Sequence, residues 1–312
     1  MTPQDAEDIR RRALVALSRN RIPGYHFGGL FLDLECRRYD RGGVVLEMET
    51  GAHNANPDGT THFGAVAFLA DMALASSCRA FVDPTRRTAT LVLEVRLTGE
   101  EPRGRLRAEA RSEGFDERTA LPQAYCTGRI LAGDREVMRM SGTWVSPPSP
   151  DGRPLHPLPW EAGDAYPVAP QLGIDQLDAM ERAVLRRVES ALRAAKHGDF
   201  MQRFFVPVVR HTPKGAVGHL PIGLYVGNRV GHVQGGFTFN TAVATAVAAV
   251  PHHPLLTGVC AWYISPGQGK ALRARATVLQ KGRNVAVVRT EVFATGGKRV
   301  LEVVSNHAIA AK

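Results

Sequence analysis

Residues 56–78 read NPDGTTHFGAVAFLADMALASSC, and residues 228–250 read NRVGHVQGGFTFNTAVATAVAAV. In both, a polar, glycine-bearing loop runs into a stretch almost without charge. From Gly235 to Val250 there is no charged residue, and from Ala65 to Cys78 the one charge is Asp71. Alanine, leucine, phenylalanine and valine over this length predict helices, at 65–82 and 237–250. A helix apolar on every face must be buried on every face. With strand-like segments on both sides, the natural enclosure is an antiparallel sheet curled around the helix.

The two stretches align position by position. Asn56, Gly59, His62, Phe63 and Gly64 correspond to Asn228, Gly231, Gln234, Gly235 and Gly236, all at an offset of 172 residues. Arg38 with Arg210 and Gly43 with Gly215 keep that offset, and Leu106, Ala108 and Ala110 match Leu272, Ala274 and Ala276 at 166. An ordered series of this kind marks an internal repeat. Each half opens with an amphipathic helix, at 4–19 and 174–196, the second turning Leu177, Met180, Val184, Val188 and Leu192 inward. Strand-like runs follow at 30–36 and 43–49, and at 203–210 and 216–226. After each central helix come alternating segments, at 88–98, 104–113, 121–132 and 135–145, and at 256–265, 271–280, 285–294 and 299–309. Eight prolines between residues 146 and 170 predict a stiff connector. The expected fold class is α+β: a first domain over 1–145, the connector over 146–170, and a second domain over 171–312.

The 312 residues include 44% hydrophobic and 22% charged, a globular balance that excludes a mainly disordered chain. Basic residues outnumber acidic ones 39 to 30, giving a net charge of +9. They are scattered and lack an aromatic-basic platform, so nucleic acid is not an expected partner. The four cysteines form no CxxC pair, so neither a zinc ribbon nor a dithiol redox site is expected. No metal site is expected. The first residues, MTPQDAEDIRRR, lack an apolar signal core, and the uncharged stretch 230–256 is too polar to span a membrane. A reduced, cytoplasmic chain with no membrane partner is the simplest expectation. Gly267-Gln268-Gly269-Lys270 is followed by Ala271 and is no phosphate loop, and Met140-Ser141-Gly142 follows Arg139 and is no nucleophile elbow. His252-His253, between prolines, reads as a solvated loop.

A central helix wrapped by a curved sheet, entered through N-x2-G-x2-H-G-G and carrying an Asp nine residues after the His, resembles the hotdog acyl-CoA thioesterases of the phenylacetyl-CoA and 4-hydroxybenzoyl-CoA type. Here the motif covers both halves, so the resemblance implies a tandem hotdog. The pair of units that relatives build from two subunits would be one polypeptide, an intramolecular pseudo-dimer, with a further homo-oligomer left open. Phe63 replaces the first glycine of the family pair, Gln234 replaces the His, and Val243 stands where the second Asp would be.

Asp71 is the leading candidate. A carboxylate surrounded by uncharged helix neighbours is costly unless paired, solvated or protonated. It is the base that activates water, a nucleophile, or a structural group bonded to an amide of the opposite half. Gly64 and Gly235-Gly236 open their helices, where backbone N–H groups have no internal partner and carry positive potential. A thioester carbonyl placed there would be polarised; a plain tight turn is the alternative. Asn56, Asn228, His62 and Gln234 precede the helices, and the resemblance implies that they bind or orient the thioester or water. Capping and loop closure would explain the same residues. The resemblance further implies that Asp71 meets Gly235, Gln234 and Asn228 across the pseudo-dimer, whereas Val243 leaves His62, Gly64 and Asn56 without an acid. Lys281 and Arg283, in the turn QKGRN, are candidates for the coenzyme A phosphates. No cofactor beyond coenzyme A as part of the substrate is expected. The implied activity is acyl-CoA hydrolysis. The alternatives are a non-catalytic acyl-CoA or lipid binder, and a hotdog dehydratase or hydratase.

Overall fold

The computed structural model describes residues 1–149, 152–161, 172–195 and 198–311. Elements of the first half are α1 (Pro3–Asn20), α2 (Phe27–Phe31), β1 (Glu35–Asp40), β2 (Gly43–Glu49), α3 (Phe63–Arg79), β3 (Ala89–Leu97), β4 (Arg105–Asp116), β5 (Gln123–Ala132) and β6 (Arg135–Val145). The second half supplies α4 (Ala179–Ala194), α5 (Phe200–Phe204), β7 (Val208–Thr212), β8 (Gly215–Pro221), α6 (Gly235–Ala249), β9 (Leu255–Tyr263), β10 (Ala271–Lys281), β11 (Val285–Phe293) and β12 (Arg299–Ala308).

All twelve strands form one antiparallel sheet in the order β1-β2-β4-β5-β6-β3-β9-β12-β11-β10-β8-β7. The order has the same pattern from either end: six strands from each half, joined where β3 pairs with β9. The joint runs from Val92 opposite Trp262 to Arg96 opposite Gly258, with Glu94 facing Cys260 at its middle. Strands that would otherwise be free edges are thereby paired. The strands alternate buried and exposed positions, as in Leu106, Ala108 and Ala110 or Leu272, Ala274 and Ala276. The buried side of the sheet faces α3 and α6.

The two helices are buried along most of their length, as their uncharged sequences require. They also pack on each other across the joint. A Cβ added to Gly236 would lie 2.7 Å from the Phe68 Cα, and the Phe68 and Phe237 rings are 4.8 Å apart between centroids. One hydrophobic cluster contains buried side chains of both halves, with a smaller cluster around Ala216, Val250 and Val288.

Several sequence expectations are corrected. Residues 30–36 and 203–210 do not begin as strands: Phe27–Phe31 and Phe200–Phe204 are short helices, and β1 and β7 start only at Glu35 and Val208. Apolar runs of five residues carry no decisive period. Here burial of the aromatic rings accompanies the helical conformation: Phe27, Phe31, Phe200, Phe204 and Phe205 are all fully buried. The predicted helix 174–196 is regular over Ala179–Ala194, and Met180 is 63% exposed rather than inward. The 216–226 run leaves the sheet at Pro221. His253 is buried, with its Nε2 3.1 Å from the Gly282 carbonyl, so its loop is docked rather than solvated.

The connector expected over 146–170 lies partly outside the described residues, but 152–161 is anchored on both halves. The Leu155 N–H donates to the Pro84 carbonyl at 2.9 Å, and Arg229 donates to the His156 carbonyl at 2.7 Å. Among the described residues no helix is long and apolar enough to cross a membrane.

The continuous sheet and shared cluster predict that the halves hold together without their covalent link. A protease site placed within 162–171 and cut should leave both pieces eluting as one 33.9 kDa species in native buffer. Separate elution would show that the β3–β9 joint is too weak to bind.

Candidate functional site at the joint between the halves

Helix α6 starts at Gly235 because Gln234 is extended and caps it, its Oε1 accepting from the Phe237 N–H at 3.3 Å. Beside this N-terminus stands Asp71 of the other half, 3% exposed. Asp71 Oδ2 accepts from Gln234 Nε2 at 2.7 Å and from the Gly236 N–H at 3.1 Å. Among the described residues its Oδ1 has only Thr90 Oγ1, at 3.4 Å. One carboxylate oxygen is therefore held by the opposite helix and the other is nearly free.

Burial pushes the Asp71 carboxyl up from 3.8 to about 6; the donors from Gly236, Gln234 and Thr90 oppose that shift without cancelling it. Tyr263, half-buried, donates its O–H to the Gly235 carbonyl at 3.0 Å. That carbonyl shares a peptide unit with the Gly236 N–H, so the tyrosine strengthens the donor that meets Asp71. The same burial, with the Asp71 charge nearby, raises the Tyr263 phenol well above its usual range and keeps it a donor.

The Gly235 N–H donates to no described residue, as expected for the first amide of a helix. Gly235 is also needed for space, since an added Cβ would sit 2.8 Å from Asp71 Oδ2. Both residues line a cavity of about 450 Å³ with Gln234, Asn228, His26, Arg87 and Tyr263. Leu121 and Ile264, 38% and 52% exposed, mark its open side.

The sequence candidates divide in two. Asp71, Gly235, Gly236, Gln234 and Asn228 come together, although the amide bonded to Asp71 is that of Gly236. Asn228 Oδ1 accepts from the Val230 and His232 N–H groups at 3.0 and 2.9 Å, so it shapes its loop as well as lining the cavity. Asn56, His62 and Gly64 lie at the N-terminus of α3, away from this cavity. Asn56 Nδ2 donates to Thr60 Oγ1 at 2.9 Å, a loop-closing bond. His62 caps α3, its Nδ1 accepting from the Gly64 N–H at 2.9 Å and its Nε2 lying 3.0 Å from Gln202 Oε1. The amide equivalent to Gly236 is thus occupied by its own cap. Asn240 packs on Gly64, where an added Cβ would be 2.7 Å from its Nδ2, and Val243, at the repeat position of Asp71, is buried in the core. The pair keeps the repeat offset of 172, since Gly64 against Asn240 corresponds to Gly236 against Phe68.

Lys281 and Arg283 are corrected more strongly. They occupy the β10–β11 turn and are not among the cavity lining. Ten residue steps of β10 separate Lys281 from the cavity end, about 30 Å at strand rise. Cationic groups that do line the cavity are Arg79, Arg87 and Arg229. Arg87 has no ion-pair partner among the described residues, and its Nε is buried without a hydrogen bond. His26 also went unnoticed in the sequence. Its Nδ1 accepts from the Gly29 N–H at 3.2 Å, and burial lowers its pKa to about 4, so the neutral ring carries its proton on Nε2. A lone histidine before FGG gave no signal. Among the described residues no cluster of three or more metal-ligating side chains occurs.

No family model matches the sequence, and no curated protein is similar to it. Solved structures are similar over nearly the whole chain. A Lactobacillus plantarum protein described as an oleoyl thioesterase is 12% identical, with 86% of this chain and 96% of that one covered at a TM-score of 0.55. A tesB protein of Mycobacterium avium subspecies paratuberculosis is 12% identical over 90% and 97% of the two chains, at 0.52. The 12:0-ACP thioesterase of Umbellularia californica is 12% identical over 84% and 92%, also at 0.52. The likeness is one of fold: the chain is a double hotdog.

The raised Asp71 pKa makes a stability prediction. The folded chain holds this proton up to about pH 6 and the unfolded chain releases it near 3.8. Stability from Asp71 is therefore complete below pH 4 and declines as pH rises through 6, by on the order of 3 kcal/mol. Asp71→Asn does not titrate and keeps an acceptor for Gln234 and Gly236. Its melting temperature should match wild type near pH 4 and exceed it above pH 6.5. A difference that does not change with pH would contradict the placement of this charge.

Proposed function

We propose that the protein hydrolyses an acyl or aryl thioester of coenzyme A at one site per chain, formed by Asp71 of the first half and the α6 N-terminus of the second. The observation that carries this reading is the division of labour around the carboxylate. Oδ2 is fixed by two donors, and among the described residues Oδ1 has one long contact and the Gly235 N–H has no partner.

The chemistry follows from those groups. A thioester carbonyl oriented by the Gly235 N–H and the positive end of α6 is polarised. Water at Asp71 Oδ1 attacks the carbonyl carbon and gives its proton to the carboxylate. The tetrahedral oxyanion is stabilised by the same amide. It collapses with cleavage of the C–S bond, and the proton passes from Asp71 to the leaving thiolate, giving carboxylic acid and free coenzyme A. A carboxyl titrating near 6 is largely ionised at neutral pH and still basic enough to accept a proton. Arg87, unpaired in the cavity wall beside His232, suits the anionic part of the coenzyme. The other helix N-terminus has Phe63 where Gly235 stands, its second amide taken by His62, and Asn240 opposite, so it supplies neither base nor free cradle.

The test is free-thiol release from a panel of acyl-CoAs. Asp71→Asn should lower kcat by about 100- to 10,000-fold, the loss expected of a general base. The wild-type rate should fall below pH 6 as Asp71 takes up its proton. Gly235→Ala should be comparably damaging, because its Cβ meets the carboxylate, whereas Phe63→Ala should cost little activity per folded molecule. Titration of Asp71→Asn with an acyl-CoA should show one tight site per chain. Tight binding with no thiol released from wild type would instead identify a non-catalytic acyl-CoA binder.

A further inference from the structure

His26 lines the same cavity as Asp71, Gln234, Gly235 and Tyr263, and it is 9% exposed. It belongs to neither helix of the central pair. Its side chain caps α2, and α2 is pressed onto that pair through Gly28. A Cβ added to Gly28 would lie 2.7 Å from Phe237 Cε2 and 3.2 Å from Phe68 Cε2. Phe68 is three residues before Asp71 on α3, and Phe237 two after Gly235 on α6. The histidine therefore sits beside rings that lie within one helical turn of both groups meeting at the joint.

The imidazole is held on two sides. Its Nδ1 accepts from the Gly29 N–H at 3.2 Å, and a Cβ added to Gly29 would lie 2.9 Å from its Cε1. The Phe68 ring lies against it, with centroids 5.9 Å apart and planes tilted by 59°. The edge left to the cavity is the one that carries Nε2. Among the described residues Nε2 has no partner. It is also open, unlike His53 Nε2 and Arg87 Nε, which are sealed off without a bond. With Nδ1 an acceptor, Nε2 carries the proton and is a donor. Burial, with the Arg229 charge nearby, lowers the ring's pKa to about 4, so at neutral pH this donor is uncharged.

Depth decides which part of a ligand meets it. Leu121 and Ile264 mark the open side, where the phosphates of a coenzyme A ester stay in water. His26 stands on the inner side, against the fully buried Phe68. A plain alkyl group filling that side would strip water from Nε2–H and leave it unpaired, whereas an oxygen on the acyl group would replace the water.

The geometry points to His26 as a further substrate-contacting residue, its Nε2–H donating to an oxygen of the acyl group, and to hydroxyacyl or oxoacyl thioesters as the substrate class. The inference rests on the thioesterase reading for which end of the ligand lies innermost, and its test separates the two. Binding of hexanoyl-, 3-hydroxyhexanoyl- and 6-hydroxyhexanoyl-CoA to Asp71→Asn is measured by calorimetry, and turnover of the same three by wild type. At least one hydroxylated chain should bind about tenfold more tightly than hexanoyl. Asparagine is a good helix cap and keeps an acceptor for the Gly29 N–H, but it has no atom at the place of Nε2. His26→Asn in the same background should therefore keep the melting temperature, leave hexanoyl affinity within twofold and abolish the gain. Should that variant not fold, the Nε2 proton resonance of His26 decides instead: it should shift with the hydroxylated chain and not with hexanoyl. The gain without thiol release from wild type would remove the hydrolytic reading and leave the His26 assignment standing. Turnover with no gain from either hydroxyl, a gain that survives His26→Asn, or a resonance that does not distinguish the chains would overturn the assignment.

Discussion

A carboxylate of one half held against the helix start of the other is the contact on which the arrangement turns. Oδ2 of Asp71 needs the Gln234 amide and the Gly236 N–H, and both belong to α6. α6 can reach it because Gly236 lets that helix approach the backbone of α3 at Phe68. The sheet must then run without a break through β3 and β9, since a splayed joint would carry the donors away. The cavity opens at the same junction. Fold and candidate site thus rest on one closely packed helix pair, with a partly compensated charge at its edge.

Much of this was legible in the sequence because the strongest signals were the simplest. A chargeless helix needs an enclosure, and a repeated loop with glycines at fixed offsets identifies two copies of one unit. Asp71 stood out for the same reason, as the single charge in its helix. What failed depended on tertiary contacts. FGGLF and FMQRF are too short to show a period, and only the buried rings explain why they coil. The contact of Gly64 with Asn240 follows the repeat offset once Gly236 is seen to pack on Phe68, but that helix-to-helix contact is tertiary and no local pattern announces it. Lys281 and Arg283 were chosen as exposed cations in a turn, and no sequence pattern says which end of a strand a turn occupies. Arg79, Arg87 and His26 carried no motif.

The two helix N-termini show how similar sequences can take opposite roles. His62 and Gln234 occupy equivalent caps. The histidine ring turns to its own helix and takes the Gly64 N–H, whereas the glutamine reaches across to Asp71 and leaves the Gly236 N–H for the carboxylate. Phe63 against Gly235 adds a steric difference. The asymmetry is distributed over cap, first helical residue and facing side chain, so no single substitution would restore the second site.

The β3–β9 joint also governs how such a two-part site responds to dilution. In a two-subunit arrangement, acid and helix start are brought together by association, and the assembled fraction falls with protein concentration. Here both are carried by one chain, and the anchored connector keeps their effective concentration high. The junction is then present at any cellular abundance, including a few copies per cell. Because the halves are no longer identical by necessity, a substitution changes one face of the junction without changing the other. Selection could therefore remove the acid from one helix while keeping it in its partner, an outcome closed to a homodimer.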